Sequence, residues 1–308
     1  PLMSGLFDKL HEVTDGLIQQ NESMTNHTYY RTGGPVRAYL EPVSTEDFVK
    51  CVQWINEHEL PFEVIGAGSN ILWADDPYAG VVLSTHPAMT DLTIDGDEVQ
   101  SGAGVRMSRL LAEVHQHELG GFSFLYGIPG TIGGGVRMNA GTSMGWMSDV
   151  LVDVEVMTAE GKRETREAKE LGLDYRFSNL QEDEIVLSAR MKATGALDTT
   201  ELKELKKAKE YRKNTQPLQF PSGGSVFRNP EGDAAGRLIE SAGLKGRVFG
   251  GAQISELHAN FIVARENACS KDILHLIRET QAEVYRVHEV WLEPEIKLMG
   301  PWSSLEVA

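Results

Sequence analysis

The feature that most constrains this chain is a glycine-rich stretch, Gly127–Gly141, which holds six glycines in fifteen residues. Glycine adopts positive φ angles without a steric penalty and lets the backbone approach a ligand closely. Successive backbone N–H groups in such a loop can converge on a phosphate. A flexible surface loop is the alternative, but flexible loops are polar, whereas Ile128, Ile132 and Val136 are apolar. We therefore expect a packed loop that binds an anion.

A second glycine cluster, Gly66-Ala67-Gly68-Ser69-Asn70, follows the predicted strand Phe62–Ile65. A strand followed by Gly-x-Gly is typical of dinucleotide-binding loops. The third glycine and the helix of that pattern are missing, because Ile71–Trp73 is itself a predicted strand. A simple turn between two strands is the alternative. The Ser69 hydroxyl and the Asn70 amide add donors that a phosphate could use.

Length and composition narrow the class of protein. A chain of 308 residues and 34.0 kDa, with 41% hydrophobic residues, is expected to form about two globular domains. The net charge of −16 argues against non-specific nucleic-acid binding. No apolar run reaches the roughly 18 residues of a membrane span. Cys51 and Cys269 lie far apart, which favours a reducing cytoplasm over a disulfide scaffold, and no Cys/His spacing suggests a metal site.

Apolar periodicity predicts an α+β protein, because helices and strands alternate without regular βαβ repeats. The Lys/Glu-rich helix Leu202–Arg212 is expected to lead into a second domain, with its charges facing solvent. The other predicted helices are 4–20, a helix capped by Ser44, Met107–His117, Ala234–Ala242 and Lys271–Val287. The other predicted strands are Val36–Leu40, Gly80–Ser84, Leu92–Ile94, Glu98–Gly102, Val150–Thr158, Arg163–Arg166, Ile185–Lys192, Phe261–Ala264 and Trp291–Leu298.

Eight short motifs together resemble one family, the UDP-N-acetylenolpyruvoylglucosamine reductases (UDP-N-acetylmuramate dehydrogenases). Each motif is weak alone, but all eight occur in the order of the family and cover roughly residues 26–300. The motifs are Thr32–Pro35, Gly66–Asn70, Gly127–Gly134 with Asn139–Gly141, Tyr175-Arg176-x-Ser178, Gly224–Phe227, Gly243–Gly246, His258–Phe261 and Leu292-x-Pro294-Glu295.

The resemblance implies an FAD-binding fold of the vanillyl-alcohol-oxidase / p-cresol methylhydroxylase type, built from two α+β subdomains. A C-terminal α+β substrate-binding domain is expected to follow it. The implied boundaries are an N-terminal helix over 1–25, an FAD-binding domain over 26–198, a substrate-binding domain over 199–300 and a tail over 301–308. The subdomains of the FAD-binding part are expected at about 26–85 and 86–198.

The resemblance also implies a reaction in two steps. NADPH reduces non-covalently bound FAD, and reduced FAD then passes a hydride to the enolpyruvyl double bond of UDP-N-acetylglucosamine enolpyruvate. A proton completes UDP-N-acetylmuramate, a precursor of peptidoglycan, and both substrates use one pocket in turn. A cytoplasmic monomer without a nucleic-acid or membrane partner is expected.

Three catalytic residues are implied by the family motifs. Hydride addition leaves negative charge on the α-carbon and the carboxylate, which requires fixed donors and a proton source. Arg176 and Glu295 are expected to stabilise this charge. The planar guanidinium of Arg176 can bind a carboxylate through two N–H groups and stays positively charged. Ser225 is expected to give the proton. Glu295 fits if it is protonated or acts through a bound water, and the sequence leaves both open.

The resemblance assigns further residues to the cofactor and the substrate. The expected substrate contacts are Tyr175, Asn229 and Lys245, whereas His258 is expected to be structural. The expected cofactor residues are Gly66, Ala67, Gly68, Ser69, Asn70, Gly127, Pro129, Gly130, Thr131, Gly133, Gly134, Asn139, Ala140 and Gly141.

Two departures and two rival functions accompany this interpretation. Thr215 stands where many relatives carry lysine, and no loop with a substrate-capping tyrosine lies between Ile185 and Leu202, which predicts the shorter subclass. One rival is another FAD oxidoreductase of the same fold, such as an alcohol oxidase with flavin tethered through His or Cys. The other is a protein that binds a UDP-sugar or flavin without chemistry, which the joint presence of the three catalytic residues disfavours.

Overall fold

A computed structural model describes residues 5–303 of the protein, so residues 1–4 of the predicted N-terminal segment and residues 304–308 of the predicted tail lie outside the described residues. The α-helices are α1 (Leu6–Val13), α2 (Thr45–Glu57), α3 (Met107–Gln116), α4 (Ile132–Arg137), α5 (Met147–Val150), α6 (Thr199–Thr215), α7 (Ala235–Ser241) and α8 (Ser270–His288).

The strands are β1 (Leu17–Ser23), β2 (Pro35–Glu41), β3 (Phe62–Ile65), β4 (Ile71–Trp73), β5 (Tyr78–Ser84), β6 (Leu92–Asp95), β7 (Glu98–Gly102), β8 (Leu119–Gly120), β9 (Gly141–Thr142), β10 (Gly145–Trp146), β11 (Leu151–Met157), β12 (Arg163–Glu167), β13 (Ile185–Lys192), β14 (Gly195–Ala196), β15 (Val248–Phe249), β16 (Ala252–Ile254), β17 (Ile262–Ala264) and β18 (Lys297–Met299). Within residues 5–303, no helix is both long and apolar enough to cross a membrane.

The chain divides into two compact units. Unit 1 comprises 1–20, 38–67 and 80–210, and unit 2 comprises 21–37, 68–79 and 211–308. The last boundary between the two units along the chain falls inside α6, between Glu210 and Tyr211. Two segments of the N-terminal third therefore fold with the C-terminal residues.

Unit 1 contains an antiparallel five-stranded sheet of order β12-β11-β13-β7-β6. Helix α4 packs on β13 and β7. The central strands alternate buried apolar and more exposed positions, which is the pattern of a sheet with one face on a core. A further four-stranded sheet has the order β1-β2-β5-β3, and β3 runs parallel to β5 with Phe62 opposite Val81.

Unit 2 has a core of its own. The three-stranded antiparallel sheet β15-β16-β17 packs against α8, whose buried residues include Ile273, Leu276 and Ile277. Strand β18 pairs in parallel with β4, with Leu298 opposite Leu72. Both units therefore contain helices and strands, as the α+β class expected from the sequence requires.

The N-terminal helix predicted over 4–20 is wrong in its second half. Helix α1 ends at Val13, and Leu17 starts β1. The Thr14 hydroxyl accepts the Gly16 N–H at 2.9 Å, which closes a turn. A Cβ atom on Gly16 would lie 2.3 Å from the Glu41 carbonyl oxygen, so the chain passes too close to β2 for a helix to continue.

The other predicted elements fall near their expected positions, with one exception. Ser44 caps α2 by accepting the Asp47 N–H at 3.1 Å, as its sequence pattern predicts. The strand predicted over Trp291–Leu298 is wrong for most of its length, because only Lys297–Met299 forms a ladder. The preceding residues make a single bridge, between Phe227 and Pro294. Its hydrogen bonds come from the Glu295 and Arg228 N–H groups and do not involve the proline nitrogen.

Candidate functional site

The two predicted cofactor loops meet in unit 1 at Gly66 and Thr131. A Cβ atom on Gly66 would lie 2.3 Å from the Thr131 hydroxyl oxygen, so this contact needs glycine at position 66. Thr131 is buried and bridges to Arg106. Ala67, the next residue, is half-buried. The end of β3 is thereby held against the start of α4.

The glycine-rich loop is packed, as its apolar residues predict. Ile132 is fully buried, and its N–H donates to the Val105 carbonyl at 2.9 Å. The Gly133 N–H donates to the Ala103 carbonyl, also at 2.9 Å. Two N–H groups of the loop therefore bind the protein's own carbonyls rather than a phosphate. The half-buried positions before them are Gly127, with φ +75°, Pro129 and Gly130.

Three consecutive glycines in α4 have different surroundings. A Cβ atom on Gly133 would lie 2.9 Å from Ala103 Cβ, and one on Gly135 would lie 2.5 Å from Met107 Cε. A Cβ atom on Gly134 would meet only the Thr131 hydroxyl, at 3.8 Å, and Gly134 is exposed. The packing of the chain does not require glycine at 134. Gly134 therefore leaves open surface at the predicted cofactor loop.

Asn139 ties the end of the glycine-rich loop to the segment that carries Arg176. Its side chain is buried, and its φ angle is +41°. Its Nδ2 donates to the Asp174 carbonyl at 3.1 Å, and its Oδ1 accepts the Ser148 N–H at 2.9 Å. The amide group therefore binds protein at both ends, a role that sequence reasoning missed.

Ala140 and Gly141 lead into a short hairpin formed by β9 and β10. Gly141 pairs with Trp146, and the Met147 N–H donates to the Ala140 carbonyl at 2.8 Å. A Cβ atom on Gly141 would lie 2.2 Å from Trp146 Cε3, so the indole ring needs glycine opposite it. That Ala140 and Gly141 also touch the cofactor stays a prediction.

Arg176 sits in a tight turn with a left-handed backbone. Asp174 and Phe177 exchange two backbone hydrogen bonds, each 3.1 Å long, across the turn. Arg176 itself has φ +52°, which is uncommon for a residue with a side chain and marks a site held by its surroundings. One guanidinium nitrogen donates to the Gly141 carbonyl at 3.2 Å. The Ser178 hydroxyl donates to the Arg137 carbonyl at the end of α4, which anchors the turn.

Two aromatic rings lie beside the Arg176 guanidinium. Its carbon Cζ is 5.5 Å from the Trp146 ring centroid and 5.3 Å from that of Tyr175. The two rings meet edge to face, with centroids 5.8 Å apart. Tyr175, predicted to bind substrate, is 37% exposed. Trp146 belongs to none of the motifs quoted above, so no sequence signal pointed to it.

In unit 2, Gly68, Ser69 and Asn70 connect to two other segments. Gly68 has φ +66°, and a Cβ atom there would lie 1.9 Å from the His27 carbonyl oxygen. The Asn70 side chain donates to the Glu295 carbonyl at 3.1 Å, and its own carbonyl accepts the Lys297 N–H at 3.0 Å. The stretch Gly68–Asn70 thus makes specific contacts with residues near His27 and near Glu295.

Ser225 lies in a loop held by a buried asparagine. The Asn260 side chain accepts the Phe227 N–H at 3.0 Å and donates to the Phe227 carbonyl at 2.9 Å. The Asn260 carbonyl accepts the Val226 N–H at 2.9 Å. Gly224, with φ +79°, precedes the half-buried Ser225. The motif His258–Phe261 was recognised in the sequence, but this role of Asn260 was not.

Glu295 lies on the segment that pairs with the Ser225 loop. Its N–H donates to the Val226 carbonyl at 2.7 Å, and the Arg228 N–H donates to the Glu293 carbonyl at 2.9 Å. Ser225 and Glu295 are thus brought onto neighbouring segments of unit 2, although 70 positions separate them in the sequence. Both backbone groups of Glu295 are fixed, one by Val226 and one by Asn70.

The remaining predicted residues bind protein groups in unit 2. Asn229 accepts the Ala235 N–H at 3.0 Å at the start of α7, and Lys245 forms an ion pair with Glu240 at 3.0 Å. Burial, aided by the charge of Lys245, lowers the pKa of His258. Its Nδ1 accepts the Asn260 N–H at 3.1 Å, which requires a neutral ring nitrogen and fits the structural role expected for His258.

The two cysteines of residues 5–303 are free thiols. Cys51 is buried and unpaired with Cys269, and burial raises the pKa of the Cys51 thiol to about 12. No group of three or more His, Cys, Asp or Glu side chains in that range could hold a metal ion.

Comparisons with known proteins identify the two parts of the chain. Residues 36–166 match the FAD binding domain family, and residues 216–299 match the family described as UDP-N-acetylenolpyruvoylglucosamine reductase, C-terminal domain. The chain is 36% identical over 304 residues to the UDP-N-acetylenolpyruvoylglucosamine reductase of Bacillus velezensis, covering 97% of this chain and 99% of that protein. It is 41% identical over 291 residues to that of Synechococcus sp. (strain WH7803), covering 92% and 94%.

A solved structure agrees with both matches. The crystal structure of UDP-N-acetylenolpyruvylglucosamine reductase from Thermus caldophilus superposes with a TM-score of 0.78 at 33% identity, covering 92% of this chain and 99% of that chain. This agreement confirms the expected α+β architecture with an FAD-binding fold of the vanillyl-alcohol-oxidase type and a C-terminal domain. The chain belongs to the UDP-N-acetylenolpyruvoylglucosamine reductase family and is an FAD-dependent oxidoreductase.

Proposed function

We propose that the protein uses NADPH to reduce UDP-N-acetylglucosamine enolpyruvate to UDP-N-acetylmuramate, a step of peptidoglycan precursor synthesis. The observation that most supports this proposal is the similarity along nearly the whole chain to reductases named for that substrate. Arg176, Ser225 and Glu295 stand in the family's motifs. We further propose that the enzyme works as a monomer in the cytoplasm.

The proposed cofactor residues are those of the two glycine loops. Gly134 supports this assignment, because it is an exposed glycine in α4 that the packing of the chain does not require. The other residues of the set are Gly66, Ala67, Gly68, Ser69, Asn70, Gly127, Pro129, Gly130, Thr131, Gly133, Asn139, Ala140 and Gly141. When bound, FAD supplies the hydride carrier between NADPH and the β-carbon of the enolpyruvyl group.

Arg176 is proposed to bind the carboxylate of the enolpyruvyl group. Hydride arrival at the β-carbon places negative charge on the α-carbon and on this carboxylate. A guanidinium offers two parallel N–H donors that match a carboxylate and remains charged through the reaction. Its attachment to the Gly141 carbonyl fixes the guanidinium before the charge develops, which is how a preorganised site lowers a barrier. Tyr175, Asn229 and Lys245 are proposed as further substrate contacts.

Ser225 is proposed to donate its hydroxyl proton to the α-carbon. A serine is a weak acid, but a carbanion-like enolate is basic enough to accept its proton. Glu295 is proposed to act beside it on the developing enolate, and their position on neighbouring, hydrogen-bonded segments supports this pairing. The resulting product carries the hydride on its β-carbon and the serine proton on its α-carbon.

The proposal is tested with Ser225→Ala in anaerobic stopped-flow experiments near 450 nm. NADPH should bleach the bound flavin of the variant at nearly the wild-type rate, because Ser225 has no part in that step. Recovery of the yellow colour on adding the enolpyruvyl substrate should be slower by at least about 100-fold, the effect expected for loss of a general acid.

Wild-type protein in the same instrument is the control. If the flavin bleached but recovered only when oxygen was admitted, the enzyme would act on a different substrate, and the proposal would be overturned. If the rates of both half-reactions of the Ser225→Ala variant fell by the same factor, Ser225 would be a structural residue and the proton would come from another group.

A further inference from the structure

Arg176 is held by a hairpin as well as by its own turn. Tyr175 lies in the same turn as Arg176 and moves with it. Trp146 instead lies on β10, and it pairs with Gly141 on β9, whose carbonyl accepts the guanidinium hydrogen bond. The indole face and the carbonyl are therefore two contacts from a single hairpin.

The hairpin itself is anchored at its end. The Met147 N–H donates to the Ala140 carbonyl at 2.8 Å, and the Trp146 N–H donates to the Asp149 carboxylate at 2.7 Å. Gly141 has no room for a side chain beside the indole. These contacts fix the Trp146 backbone, and its indole lies against Gly141 and beside the guanidinium.

A guanidinium within about 6 Å of an indole centroid is attracted by the electron-rich face of the ring. The distance from Arg176 Cζ to the Trp146 centroid, 5.5 Å, meets this condition. Arg176 also has a left-handed backbone, which costs energy for a residue with a Cβ atom. Outside the turn, the Gly141 carbonyl and the Trp146 ring are contacts that hold the guanidinium.

We propose that Trp146 is a positioning residue, which orients the Arg176 guanidinium from the β9–β10 hairpin so that the fork is ready for the substrate carboxylate. This inference rests on the proposed function in so far as Arg176 binds that carboxylate. Trp146 touches Arg176 and acts on the reaction only through it.

The test compares Trp146→Leu, which removes the π face, with Trp146→Phe, which keeps one. We expect Trp146→Leu to slow substrate-dependent flavin recovery about 5-fold, the loss expected for one cation–π contact, while NADPH bleaching keeps its wild-type rate. Trp146→Phe should recover within about 2-fold of wild type. Equal rates in the two variants, or equal slowing of both half-reactions, would overturn the proposal.

A double variant separates this inference from the role of Arg176. In an Arg176→Gln background, Trp146→Leu should cause no further slowing, because the group it orients is gone. A further 5-fold loss there would overturn the positioning role. If Arg176→Gln alone recovered at the wild-type rate, the proposed function of Arg176 would fail instead.

A spectroscopic readout tests the contact without activity. The ¹H–¹⁵N resonance of the Arg176 Nε group should be displaced by the indole ring current in the wild-type protein. In Trp146→Leu it should move toward the ordinary arginine position, while the ring current of Tyr175 remains. An unchanged resonance in that variant would show that the ring does not hold the guanidinium.

Discussion

Gly133 and Gly134 are neighbours in the sequence, but they meet different surroundings. Gly133 faces Ala103, so its missing side chain allows α4 to pack closely on the chain beneath it. Gly134 is exposed and faces only the Thr131 hydroxyl at 3.8 Å. Packing therefore requires glycine at position 133 but not at position 134.

This difference predicts opposite effects of adding one methyl group. Gly133→Ala should lower the free energy of unfolding by about 1–3 kcal/mol, because its Cβ would overlap Ala103. Gly134→Ala should raise the free energy of unfolding of the FAD-free protein by about 0.5–1 kcal/mol, because alanine is more favourable than glycine inside a helix. Its affinity for FAD should fall roughly tenfold, since the Cβ would keep the cofactor from approaching the backbone at the proposed site.

Urea denaturation of the FAD-free proteins and titration with FAD provide the two measurements. In the urea measurement, Gly133→Ala is the comparison for the position of the added methyl. Wild-type FAD affinity in Gly134→Ala would remove Gly134 from the proposed cofactor site.

At the scale of elements, short irregular segments carry the residues proposed for chemistry. The Ser225 loop, the Glu295 segment and the Arg176 turn lie outside long helices and strands, and each is fixed by side chains from elsewhere in its own unit. Asn260 fixes the Ser225 loop, and Asn139 fixes the Arg176 turn. Such loops need these contacts because their backbone groups have no ladder of their own.

Asn260→Ala should therefore destabilise unit 2. The substitution leaves the Phe227 N–H and carbonyl without the buried amide that binds them, and it should cost about 2–4 kcal/mol of unfolding free energy. Urea denaturation measures this loss. Asn26→Ala, whose exposed amide binds Glu22, is the control and should cost no more than about 0.5 kcal/mol. Similar losses in the two variants would mean that the Asn260 contacts contribute little.

Sequence reasoning located most elements, and several strands with their exact ends, but not their partners. The capping pattern at Ser44 placed α2, because an N-cap depends on residues three positions apart. The apolar spacing of Leu17 and Ile18 matched a helix, yet both lie in β1. The close approach of Gly16 to Glu41 decides this outcome, and no local pattern reports a contact with residues so far along the chain.

For the whole molecule, pH acts on stability in two opposing ways. The net charge is −16 at pH 7 and the pI is about 5.0, so acidification toward the pI relieves repulsion in the folded protein. Burial lowers the pKa of His258 and of His115. The unfolded chain then binds more protons than the folded one below about pH 6.5, which destabilises the fold as the pH falls.

His258→Gln should isolate the second effect. The neutral amide cannot take up a proton, so the unfolding free energy of the variant should fall less, or rise more, than that of the wild type between about pH 7 and 5. The nearby charges of Lys245 and Glu240 remain in both proteins. His117→Gln, at an exposed histidine, is the control. Parallel pH curves for wild type and His258→Gln would contradict a lowered pKa at this site.

The sequence by itself determined the α+β class, the two glycine loops and the family, because these depend on periodicity and on short motifs kept in order. Only the tertiary structure decided which glycine is needed for packing, how Ser225 and Glu295 reach neighbouring segments, and that Trp146 lies beside Arg176. It also decided that segments 21–37 and 68–79 fold with residues 211–308. These facts depend on contacts between residues distant in the chain, and such contacts leave no regular spacing in a single sequence.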